Sequence, residues 1–100
     1  KITGMGLNQL AWQMALLTDV EGLDLELAER LARRGVELCE EKQKAAVLDT
    51  LARVLFRLDK KDEAIARQKE AVELSEGEQR EALQKTLDAY EKGELPDARE

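Results

Sequence analysis

Residues 45–74, AAVLDTLARVLFRLDKKDEAIARQKEAVEL, limit the fold of this chain more than any other stretch. Leu48, Leu51, Ala52, Leu55 and Leu58 recur at three- and four-residue steps, the spacing that puts side chains on one face of an α-helix. After Asp59, Lys60 and Lys61 the pattern restarts with Ala64, Ile65, Ala71 and Val72. Two amphipathic helices joined by so short a turn have to fold back on each other as a helical hairpin. No segment of the chain alternates with period two, so no strand is expected.

The rest of the chain varies this theme. Leu7, Leu10, Ala11, Met14 and Leu17 predict a helix over residues 7–18, and TDVEG at 18–22 reads as a turn. A second helix is expected over residues 24–41, with Leu27, Ala28, Leu31, Gly35 and Leu38 on its apolar side. Glu26 and Arg30, like Glu29 and Arg33, form i,i+4 pairs in the favourable order on its wet side. EEKQK at 40–44 reads as loop or frayed helix. Third and fourth helices follow at 45–58 and 62–74. Ser75-Glu76-Gly77-Glu78 fits the S-x-x-E capping box and predicts a fifth helix over 76–91. Ala82, Leu83, Leu87 and Tyr90 form its apolar side. Gly93, with Pro96 beyond, is its expected stop, and residues 93–100 are expected to be a mobile tail.

The first and second helix pairs repeat one another. Leu10-Ala11-Trp12 matches Leu51-Ala52-Arg53, Met14 matches Leu55, and Leu17 matches Leu58. Ala28 matches Ala64, Val36 matches Val72, and Glu37-Leu38 matches Glu73-Leu74. This pattern resembles the tetratricopeptide repeat, W-x2-L-G-x2-Y, A-x3-F, then P, over ~34 residues. Leu48, Leu51, Ala52 and Leu55 stand in its first four slots and Ala64 in its alanine slot. Gln68 replaces its Phe and Glu76 its Pro. Leu7, Leu10, Ala11, Met14 and Ala28 stand in the same slots of the first unit, with Ala32 for Phe, and Leu83, Thr86, Leu87 and Tyr90 fit a third unit loosely. The resemblance implies an all-α, right-handed superhelix of about two and a half hairpins. Its repeats would span about residues 7–41 and 45–74, with a capping helix at about 76–92. A second, looser resemblance is carried by LNQLAW and LDTLARVLFRLDKKDEAI. They are similar to the helical tail that follows a thioredoxin-like domain in some bacterial envelope proteins. It implies an accessory piece of a redox protein, in the bacterial cytoplasm or the periplasm and cell envelope. No C-x-x-C occurs in this chain.

The net charge of −6 comes from 16 basic and 22 acidic residues interspersed along the chain, the pattern of solvated helix faces and not of a nucleic-acid stripe. No apolar run approaches the ~18 residues of a membrane span. With no histidine, no Ser-His or Cys-His unit can be built. The single cysteine, Cys39, sits among Glu37, Glu40 and Glu41, where its thiol gains no activation. Those three glutamates read as a solvated helix end more readily than as a carboxylate metal site. Catalysis, metals and cofactors are therefore not expected.

Binding is the better expectation. The tetratricopeptide resemblance implies that the first helix of each hairpin lines a shallow concave groove. Asp49, Arg53 and Phe56 share one such face at i, i+4 and i+7, and Asn8, Trp12 and Ala15 are their equivalents. Asn8, Trp12, Asp49, Arg53 and Phe56 are thus the candidate contacts for a protein or peptide, with the two aromatics as anchors. The alternative is that Trp12 and Phe56 fill gaps left where Phe is missing from the second helices. The chain would then be a structural appendage packed on its own neighbouring domain. An exposed aromatic patch would favour the groove, and buried aromatics the appendage.

Overall fold

A computed structural model describes residues 25–94, together with Gly6. The helix expected at 7–18, the turn at 18–22 and the end of the tail lie outside the described residues. Among the described residues there is no strand. The elements are α1 (Leu25–Leu38), a 3₁₀ turn (Glu41–Gln43), α2 (Lys44–Arg57), α3 (Lys61–Leu74) and α4 (Gly77–Glu91). Each helix packs chiefly on its neighbours in the chain: α1 on α2, α2 on α3, α3 on α4.

The centre of this arrangement is α2. Residues 51–55 are all buried, five successive positions that cover more than a full turn. A helix buried all round must be apolar all round or satisfy its polar groups internally. Thr50 does the latter: its hydroxyl donates to the Ala46 carbonyl at 3.2 Å. One core cluster joins α2, α3 and α4 through Leu48, Ala71, Val72, Leu83 and Leu87. A second joins α1, α2 and α3 through Ala32, Leu51, Leu55 and Ala64, and a third sets Ala28 against Val54.

Of the residues expected on the apolar side of α1, Ala28 and Gly35 are buried and Leu31 packs against a core cluster, but Leu27 and Leu38 turn outward. Leu27 and Leu38 are 38% and 46% exposed, while Ala28, Ala32 and Gly35 are buried. The reason is steric. Small residues allow one helix backbone to lie close on another, and the bulky Leu27 and Leu38 are displaced to the flanks of the contact.

Two of the turns are built alike. At the end of α2 the Lys60 amide donates to the Leu55 carbonyl at 2.9 Å and the Asp59 amide to that of Phe56 at 3.1 Å. At the end of α4 the Glu94 amide donates to Ala89 at 2.8 Å and the Gly93 amide to Tyr90 at 3.0 Å. Both are Schellman motifs, which require a left-handed residue after the cap. Gly93 fills that position at φ 81°, and Asp59 fills it at φ 63°.

The capping box expected at Ser75 does not form. Ser75 is the C-cap of α3, and its buried hydroxyl donates backward to the Val72 carbonyl at 3.0 Å. The N-cap of α4 is Glu76, without a side-chain cap. The nearest acceptor for a hydroxyl buried against the end of α3 is an orphan carbonyl of that helix. A reciprocal bond occurs instead in the polar EEKQK segment, where the Glu40 amide donates to Gln43 Oε1 at 3.3 Å. On α4 only Leu83, Leu87 and Tyr90 are buried. Ala82, read as part of the apolar side, is exposed beside Glu81 and Lys85, so α4 has one packing face and a polar back.

Candidate functional site

Asp49, Arg53 and Phe56 stand one turn apart along α2. Arg53 is 5% exposed, and Asp49 and Phe56 are half-buried. The Phe56 ring stacks on Tyr90 of α4, with centroids 4.7 Å apart and planes 18° from parallel. Such offset contacts contribute about 0.5–1.5 kcal/mol beyond area burial. Asn8 and Trp12 lie outside the described residues.

Two residues that sequence reasoning did not place here complete the cluster. Gln68 of α3 is fully buried, and its Nε2 donates to the Leu83 carbonyl of α4 at 3.0 Å. Its side chain also hydrogen-bonds Asp49. With two acceptors to serve, the amide nitrogen must face them, which fixes which way the carboxamide points. Gln68 Oε1 and Tyr90 Oη are buried and meet no hydrogen-bond partner among the described residues. A polar group so placed costs roughly 1–3 kcal/mol. The signal for Gln68 was present in the chain, a polar residue in the slot where the resembled repeat carries Phe. Tyr90 gave no comparable signal, because its apolar spacing masks its hydroxyl.

Charge and burial pull against each other here. Burial pushes the Asp49 carboxyl above its ordinary value, while Gln68 and then Arg53 draw it back. Burial raises the Tyr90 hydroxyl far above the ordinary phenol value, Arg53 opposes this and Asp49 adds to it. Tyr90 therefore keeps its proton at any physiological pH and is available as a donor.

A second polar group sits at the junction of α1 with the α2–α3 turn. Glu29 accepts from Lys60 Nζ at 2.7 Å and from Arg33 Nε at 2.8 Å, and Arg33 Nη2 reaches Glu63 at 2.7 Å. Beside it lies an open cleft of about 370 Å³ lined by Glu26, Glu29, Arg30, Leu58 and Lys60. Glu29 and Lys60 neutralise each other, so the cleft offers no dominant charge to a ligand. Cys39 is half-buried, its thiol turned to the Val36 carbonyl at 3.5 Å. Among the described residues no group of three or more acidic or cysteine side chains is arranged to hold a metal, and no helix is long and apolar enough to cross a membrane.

No family model, no curated protein and no solved structure matches this chain.

Proposed function

We propose that this chain is a non-catalytic helical-hairpin module of the tetratricopeptide-like kind, its hairpins stacked in a right-handed superhelix. In this reading it holds a segment of another protein in a shallow groove beside α2 and α4. The observation that carries the reading is the gathering of Asp49, Arg53, Gln68 and Tyr90 from three helices around a half-buried Phe56. Polar groups collected at such cost are better explained by recognition than by packing, since apolar residues of equal volume would stabilise the core more. The test is a selection of peptides from a displayed random library on the full chain. Selected peptides should bind F56L and D49N at least tenfold more weakly, with helical circular dichroism unchanged in both variants. Equal binding to both variants, or no selectable peptide, would sink the groove.

One observation favours a second reading. The Phe56 ring is already committed to Tyr90, as expected if the aromatics fill space within a structural appendage. Under that reading isolated peptides do not bind, and the chain is protected from proteolysis only by the neighbouring domain of its own longer protein.

A further inference from the structure

We infer that the outer flank of α1 docks a helix of a partner protein, one whose apolar stripe is bordered by acidic residues. This surface lies apart from the groove beside α2 and α4 and does not depend on it.

The three sides of α1 differ in chemistry. Ala28, Ala32 and Gly35 face inward and are buried. Successive residues of an α-helix turn by about 100°, so Glu29 and Leu27 leave this stripe in opposite directions. On one flank Lys60 donates to Glu29 and Arg33 donates to Glu63. On the other, Leu27, Leu31, Arg34 and Leu38 stand at i, i+4, i+7 and i+11 and form one ridge along the helix. Leu31 roots this ridge in the core, packed against the cluster of Leu51, Leu55 and Ala64, while Leu27 and Leu38 are exposed at its two ends.

The repeat indicates what such a flank meets. Ala28 matches Ala64, so Leu27, Leu31, Arg34 and Leu38 match Glu63, Arg67, Glu70 and Leu74 of α3. On α3 this flank is turned toward another helix, since Glu63 accepts from Arg33 of α1 at 2.7 Å. The equivalent place beside α1 is the seat of one more helix laid alongside. There α1 carries leucines where α3 carries Glu63 and Arg67, so burial of this flank is favoured by the hydrophobic effect.

Charge then selects the occupant. Arg30 makes no ion pair among the described residues, and Arg34 makes an exposed one with Glu37 at 3.2 Å, a kind that adds little to stability. A partner helix with glutamate or aspartate beside its apolar stripe pairs with both arginines. A second copy of this chain, laid antiparallel on the same flank, would set Arg30 and Arg34 against their own counterparts, which like charge disfavours.

The probe is a fluorescein-labelled synthetic helical peptide with leucines at i, i+4, i+7 and i+11 and glutamates to either side. Its control carries lysine for each glutamate. Both are titrated with the full chain and read by fluorescence anisotropy. The glutamate peptide should bind roughly tenfold more tightly than the lysine peptide. Leu38→Ser should weaken it by a similar factor and Arg34→Glu should reverse the preference, with melting temperatures little changed, as for exposed positions. No binding, equal binding of the two peptides, or indifference to both substitutions would overturn the inference. A dimer in sedimentation that Leu38→Ser dissociates would also overturn it, the occupant then being a second copy. So would a steep fall in melting temperature for Leu38→Ser, the flank then being covered by the chain's own residues 7–18.

Discussion

Asp59 occupies a left-handed backbone position that glycine takes without strain, as Gly93 does in the equivalent turn after α4. A non-glycine residue there carries roughly 1–2 kcal/mol of steric cost. Glycine would remove that cost but lose about 0.5–1 kcal/mol to greater freedom in the unfolded chain. The balance predicts that Asp59→Gly is no less stable than the parent and melts at the same temperature or a few degrees higher. Asp59→Val, β-branched and unable to adopt the turn comfortably, should melt lower. Thermal unfolding by circular dichroism decides the matter, and a clear drop for Asp59→Gly would contradict the left-handed assignment.

Between elements, the tie from α1 to the α2–α3 turn is electrostatic as well as apolar. Lys60 first, then Arg33, hold the Glu29 carboxyl below its unfolded value of 4.5 despite the opposing effect of burial. The folded chain therefore releases this proton more readily than the unfolded chain does. The resulting stability is fully present above pH 4.5 and drains away as pH falls through the lower folded value. Glu29→Gln should be less stable than the parent at pH 7 by about 1 kcal/mol, since partly exposed pairs contribute ~0.2–1 kcal/mol each. The gap should narrow as the pH is lowered below 4.5, read as the difference in urea midpoints between neutral and acid pH. A gap that persists in acid would mean that packing, not charge, is what Glu29 supplies.

At the scale of the molecule, α4 closes one side of the helical array. It sets Leu83 and Leu87 on the cluster of Leu48, Ala71 and Val72, and it supplies the carbonyl that Gln68 binds. Burying a leucine contributes roughly 1.5–3 kcal/mol, and Tyr90 adds a fully buried ring. Their sum rivals the ~5–15 kcal/mol that keeps a domain folded. A chain ending at Glu76 should therefore lose its cooperative urea transition and most of its helical signal. A truncated chain that still unfolds in one sharp step would show α4 to be an ornament to a core complete without it.

The sequence by itself determined the described helices and one side of the candidate site. Apolar spacing is a local property, so residues 48–58 and 64–72 announced their own helices and the turn between them. The positions of Asp49, Arg53 and Phe56 on one face of α2 followed from helical geometry alone. Tertiary structure decided what local spacing could not encode. How far the inward stripe of α1 extends depended on how closely α2 could approach, and the small residues Ala28, Ala32 and Gly35 settled it over Leu27 and Leu38. Ser75 turned from α4 to α3 because burial, not sequence order, chose its acceptor. Gln68 and Tyr90 joined Asp49 only because three helices converge there, and hydrogen bonds between elements have no period along the chain.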